Sequence, residues 1–106
     1  MEIINLKKLE ELKTQSNNLL VMFSAEWCGE CKMNNLLLED IEAKYADFTF
    51  VKIDVDEERL WADDGNETYK IMSVPTFHIC GKEQDTREHV GFVSQHELDQ
   101  FIKNEI

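Results

Sequence analysis

Proline is nearly absent: Pro75 is the only one in 106 residues, and glycine occurs just four times. With no serine-rich stretch and no repeated segment either, linkers, low-complexity tracts and internal repeats are excluded. No apolar run approaches the ~18 residues that a membrane-spanning helix needs. Basic residues are scarce, 11 against 22 acidic ones, and the formal net charge is −11. Nucleic acid and anionic lipid would both be repelled, which argues against them as partners. A partner with a basic docking surface would be favoured, although the same acid surplus also serves solubility alone. The amino-terminal stretch "MEIINLKKLEELK" carries charge where a signal peptide needs an apolar block. A cytoplasmic location is expected, where Asn66-Glu67-Thr68 has no meaning as a glycosylation acceptor.

The length suits one domain over residues 1–106, large enough to bury roughly two-thirds of its unfolded surface and fold without staples. Periodicity alternates between strand and helix. "EII" predicts a short strand, and "NLKKLEELK" a helix capped by Asn5 with Leu6, Leu9 and Leu12 on one side. "LLVMFS" (Leu19 to Ser24) is a continuous apolar run, as in a strand buried on both faces. From Cys28 the pattern becomes helical, with Met33, Leu36, Leu37, Ile41 and Tyr45 as the expected inward stripe. "FTFVKIDV" (Phe48 to Val55) predicts another buried strand, followed by a helix from Glu57 to about Ala62 and a polar turn at "DDGN". "TFHIC" (Thr76 to Cys80) and "REHVGF" (Arg87 to Phe92) predict strands joined through Gly81-Lys82. Ser94-Gln95-His96-Glu97 is a capping box opening a last helix, with Leu98, Phe101 and Ile102 facing the core. The order βαβαβ then ββα gives an α/β fold: a central mixed sheet flanked by helices on both faces.

Two of the three cysteines, Cys28 and Cys31, stand in "SAEWCGECKM" at the junction of a buried strand and a helix. Unpaired backbone N–H groups at a helix start stabilise a thiolate, the species that attacks disulfides. The leading cysteine of such a pair has a pKa of ~7 or below, against ~8.5 for a free thiol. Cys28 would attack a substrate disulfide, and Cys31, one turn further in, would resolve the mixed disulfide intramolecularly. Two other readings stand beside this one. Cys28, Cys31, His78 and Cys80 could supply four zinc ligands. The pair could also be inert, although Trp27, Gly29 and Glu30 do not make a close-packed core.

The stretch Trp27-Cys28-Gly29-Glu30-Cys31-Lys32, preceded by Phe23-Ser24-Ala25-Glu26, resembles the active site of the thioredoxin family. "SVPTF" (Ser73 to Phe77) is similar to the family's cis-proline loop, "VGF" (Val90 to Phe92) to its glycine turn, and the element order agrees over nearly the whole chain. The resemblance implies a nucleophile at Cys28, a resolving thiol at Cys31, and a cis Pro75 facing them and keeping metals away. It implies that the Val74 backbone pairs with an extended substrate segment. Trp27, Gly29, Glu30, Val74, Pro75 and Gly91 would form the docking surface. It implies no cofactor and no metal on the chain, which would act as a monomer on disulfide-containing proteins. An NADPH-dependent thioredoxin reductase would restore the dithiol.

Four departures from the family pattern carry chemistry. Glu30 replaces the proline usual between the cysteines, which makes a couple less reducing, while a carboxylate beside Cys28 pushes the other way. Met22 stands where the family usually buries an aspartate behind the dithiol. The partner lysine of that acid is matched by Lys52, which either favours thiolate in the pair or snorkels to solvent. Leu36 replaces a helix-kinking proline, so a straighter helix is expected. The segment Asp54 to Tyr69 is about four residues longer than usual and acidic; "DVDEER" fails as a calcium loop because Arg59 stands where glycine is needed. Trp61 within it is expected in the core.

Cys80 is expected as a buried small hydrophobe and His78 as structural; His89 and His96 have no catalytic partners. The expected function is a thiol–disulfide oxidoreductase that reduces protein disulfides through Cys28–Cys31. A disulfide oxidant or isomerase using the same cysteines, and a low-turnover binding module on the same fold, are the alternatives.

Overall fold

The computed structural model describes residues 1–60, 69–82 and 84–104. In chain order it places strand β1 (Glu2–Ile3), helix α1 (Leu6–Gln15), strand β2 (Leu19–Ser24) and helix α2 (Gly29–Ile41), which a 3₁₀ turn (Glu42–Tyr45) extends. Strands β3 (Thr49–Asp54), β4 (Thr76–Gly81) and β5 (Gln84–Val90) follow, and helix α3 (Gln95–Lys103) comes last. The five strands form one sheet in the order β1-β3-β2-β4-β5, parallel up to β2 and antiparallel beyond it. This is the expected βαβαβ–ββα arrangement.

Sequence chemistry accounts for most of these elements. β2 is the middle strand, and all six of its residues are buried, as a run without polar alternation requires. Asn5 caps α1 by accepting the Lys8 N–H at 2.8 Å. No acid lies in the first turn of α1, but Glu58 reaches across to accept the Leu6 N–H at 2.8 Å. Ser94 and Glu97 form both bonds of the capping box on α3.

Side-chain contacts show which helix covers which face. Residues paired across antiparallel strands share a face, so Val21 with His78 and Leu19 with Cys80 define one side. On it Phe23 meets the His78 ring edge-on at 4.8 Å and the Tyr69 ring at 5.7 Å. Tyr69 in turn bonds Glu10 of α1 through its hydroxyl. The opposite side carries Phe77, His89 and, from α3, Phe101, as well as Lys52 bonded to Asn35 of α2. Helices therefore flank the sheet on both faces, α1 on one and α2 with α3 on the other. Cys80 is buried as a free thiol, and that burial pushes its pKa up.

Three expectations need correction. The buried face of α2 is Cys31, Asn34, Leu38 and Ile41, whereas Met33 and Leu36 are 59% and 64% exposed. Hydropathy misassigns the stripe because a polar residue, Asn34, occupies an inward position and is satisfied there. Residues 57–60 form turns rather than the start of a helix. Asp54 accepts the N–H groups of Asp56 and Glu57, and Arg59 takes a left-handed φ of 56°, which a helix cannot continue through. β5 starts at Gln84 and ends at Val90, so Phe92 belongs to a loop, 39% exposed. Trp61, the "DDGN" turn and Asn66-Glu67-Thr68 lie outside the described residues.

Candidate active site

Cys28 is the N-cap residue of α2 and sits directly beyond the carboxyl end of β2. Its Sγ accepts the Cys31 backbone N–H at 3.1 Å, so the sulfur occupies the place of an ordinary capping oxygen. A thiolate at this position would be stabilised by the N-terminus of the helix. Cys28 and Cys31 are joined as a disulfide with Cα atoms 5.2 Å apart, well inside the range such a bridge spans. Both are largely covered, Cys28 at 6% and Cys31 at 3% exposure.

Three loops surround the pair. The first carries Trp27, which is 66% exposed and donates its indole N–H to Asp56 Oδ2 at 2.8 Å. That bond ties the residue before Cys28 to the loop after β3. Gly29 and Glu30 are exposed in the first turn of α2, where a carboxylate interacts favourably with the helix dipole. The second loop contains the cis Val74–Pro75 peptide bond. The Val74 carbonyl oxygen lies 3.7 Å from Cys28 Sγ; Val74 is half-buried and Pro75 buried. The third loop is fixed to the second because the Gly91 N–H donates to the Pro75 carbonyl at 2.8 Å. Gly91 has a φ of 99°, a conformation that side chains disfavour.

The structure thus gathers Trp27, Cys28, Gly29, Glu30, Cys31, Val74, Pro75 and Gly91 at one end of the sheet. It adds residues that hydropathy reasoning passed over. Met72, at 83% exposure, and Phe92 are large apolar side chains on the second and third loops. Their signal in the sequence was position: each stands beside a loop motif yet outside any strand. Asn34 is the third. Its side chain is fully buried, donates to the Val93 carbonyl at 2.8 Å and accepts the Val93 N–H at 3.2 Å. It pins the glycine loop to α2.

Behind the pair, Met22 is fully buried and pairs in register with Lys52 on β3. The Lys52 ammonium donates to Asn35 Oδ1 at 3.0 Å. A cavity of about 660 Å³ borders Cys31, Asn35 and Lys52 and is walled on its apolar side by Ile3, Ala25 and Leu36.

His78 and Cys80 do not join the cysteine pair. They lie on the α1 face, with His78 Nε2 at 2.8 Å from Glu88 Oε2. Burial lowers the His78 pKa, and Glu88 opposes that shift in part. Among the described residues, no three His, Cys, Asp or Glu side chains are grouped to hold a metal ion. Among them, too, no helix is long and apolar enough to cross a membrane.

Comparison with known proteins agrees with this geometry. A family model described as thioredoxin matches residues 4–104. The thioredoxin of Mycoplasmoides gallisepticum is 36% identical over 103 residues, covering 95% of this chain and 97% of the relative. That of Mycoplasma pneumoniae is 33% identical over 101 residues, covering 95% of each. Among solved structures, a thioredoxin of Plasmodium falciparum superposes with a TM-score of 0.83 at 27% identity over the full length of both chains. Oxidised mitochondrial thioredoxin 3 of Saccharomyces cerevisiae gives 0.78 at 32% identity, covering 98% of this chain and 94% of that one. The chain belongs to the thioredoxin family and, with Cys28 and Cys31 paired at the head of α2, is a thiol–disulfide oxidoreductase.

Proposed function

We propose that this chain reduces disulfides in protein substrates, with Cys28 as the nucleophile and Cys31 as the resolving thiol. The observation that carries this assignment is the position of Cys28 Sγ. It accepts the Cys31 N–H at the start of α2, whereas Cys31 lies a turn deeper with half the exposure. In the dithiol form the Cys28 thiolate attacks one sulfur of a substrate disulfide and expels the other as thiolate, which takes a proton. The Cys31 thiolate then attacks Cys28 Sγ, the bond to the substrate breaks, and the second substrate thiolate leaves. The substrate gains two electrons and the chain ends as the Cys28–Cys31 disulfide. Thioredoxins act on disulfide-containing proteins.

In this proposal Trp27, Gly29, Glu30, Val74, Pro75 and Gly91 contact the substrate. The Val74 carbonyl beside Cys28 suits strand-like pairing with an extended segment. Met72 and Phe92 extend the apolar surface. The dithiol is restored by an NADPH-dependent thioredoxin reductase, and the setting is a reducing compartment such as the cytoplasm. The assignment of roles is tested by trapping. Cys31→Ser should accumulate a mixed disulfide with a protein substrate through Cys28, and Cys28→Ser should accumulate none. Trapping by Cys31 in the Cys28→Ser protein would reverse the roles.

A further inference from the structure

Glu30 is the one charged residue between Trp27 and Cys31. It is exposed in the first turn of α2, and among the described residues its carboxylate enters no ion pair or hydrogen bond. Helix geometry fixes the side on which it stands. Residues four apart lie above one another, so Glu30 sits one turn above Asn34. Asn34 bonds both backbone groups of Val93, at 2.8 and 3.2 Å, on the third loop. Glu30 therefore flanks Cys28 on the side of Gly91 and Phe92. Lys32, two residues on, falls on the other flank of the helix, where it borders the cavity with Glu26, Asn35 and Lys52. No cation answers Glu30 on its own side. From Ile71 to Phe77 on the second loop, and from Val90 to Gln95 on the third, no residue is charged. Those loops present Met72 and Phe92 instead. The loop after β3, tied to Trp27 by the 2.8 Å bond to Asp56, adds Asp56 and Glu57 against one cation, Arg59. Lys70 precedes the buried Ile71, ahead of the second loop.

We infer that Glu30 is a specificity-determining residue, its carboxylate selecting substrate segments that carry lysine or arginine beside the disulfide. The inference rests on the reduction of protein disulfides through Cys28 and takes that reading one step further, to the class of substrate. An extended segment advances about 3.3 Å per residue. The residues one or two places from its cysteine thus stay within reach of a glutamate two residues from Cys28. Set in an otherwise uncharged surface, that carboxylate favours the approach of a cation and opposes that of an anion. An exposed ion pair changes a rate or an affinity by about fivefold at most. Glu30 therefore ranks substrates against one another and excludes none.

The test uses peptides of one length whose central cysteine is activated as its 2-pyridyl disulfide and flanked by lysine or by glutamate. Each is mixed with reduced protein in single turnover at low ionic strength. The Cys28 thiolate bonds to the peptide sulfur, the bond to the pyridyl sulfur breaks, and thiopyridone leaves, its absorbance reporting the rate. The quantity read is the ratio of the lysine-peptide rate to the glutamate-peptide rate. A change at Glu30 also alters Cys28 as a nucleophile, but equally for both peptides, so it cancels in the ratio. The wild-type ratio should be about tenfold and should fall about threefold or more in Glu30→Gln. Glu30→Lys should lower it further. Asp47, exposed ahead of the amino end of β3, lies at the opposite end of the sheet from Cys28, which follows the carboxyl end of the parallel β2. Asp47→Asn removes the same charge and should leave the ratio unchanged. A wild-type ratio of one, a ratio kept in Glu30→Gln, or an equal fall in Asp47→Asn and Glu30→Gln would overturn the inference. Thiopyridone release at the wild-type rate in Cys28→Ser would instead overturn the assignment of Cys28 as attacker, and the inference with it.

Discussion

The side chain of Asn34 satisfies both the N–H and the carbonyl of Val93, at 3.2 and 2.8 Å, from a fully buried position on α2. One amide thus joins the helix that carries the cysteines to the loop that carries Gly91. Replacing it with leucine strands two buried backbone groups, each worth about 1–3 kcal/mol when left unpaired. Asn34→Leu should lower the unfolding free energy by about 2 kcal/mol or more, read as a reduced urea midpoint at unchanged slope. A midpoint equal to wild type would mean that water replaces the amide without loss.

Three glycines should respond to alanine in a fixed order. At Gly81 an added Cβ would lie 2.2 Å from the Asn17 carbonyl oxygen, a backbone atom that cannot move aside cheaply. At Gly91 nothing stands within 4 Å, but the φ of 99° imposes backbone strain of about 1–2 kcal/mol. Gly29 has open space and an ordinary φ in the first turn of α2, where alanine is the better helix former. Thermal unfolding should rank the losses Gly81→Ala above Gly91→Ala, with Gly29→Ala neutral or stabilising.

Stability should depend on pH through His78. Burial lowers its folded pKa below the ordinary 6.5, so the unfolded chain binds the proton more readily. Stability from this group is fully present above pH 6.5 and is lost as pH falls from there through the folded value. A His78→Gln variant should flatten the urea midpoint against pH in that window relative to wild type. Parallel curves would show that Glu88, at 2.8 Å, offsets the burial completely.

The parts of this fold written in local chemistry could be read from the sequence, and the parts that depend on contacts between distant segments could not. The apolar run of β2, the Asn5 cap, the Ser94–Glu97 box and the cysteine pair each declare themselves within a few residues. The inward face of α2 did not, because Asn34 is polar and its partner Val93 is 59 residues away. Composition predicts a helix after Asp54, yet Arg59 at φ 56° and the Asp54 turn override it. The Asn35–Lys52 bond, 17 residues apart, exists only once β3 lies beside α2. Sequence alone therefore left Lys52 with two readings, and the geometry gives it a neighbour.

The most direct test of the account is the reduction potential of the Cys28–Cys31 couple. The protein is equilibrated in graded thiol–disulfide buffers, free thiols are alkylated, and the disulfide fraction is read against the buffer potential. A reductant of protein disulfides should give a value near the ~−270 mV typical of thioredoxin, with Glu30 and Met22 tolerated at the site. A value of about −180 mV or above would contradict that account and make the chain a disulfide oxidant or isomerase.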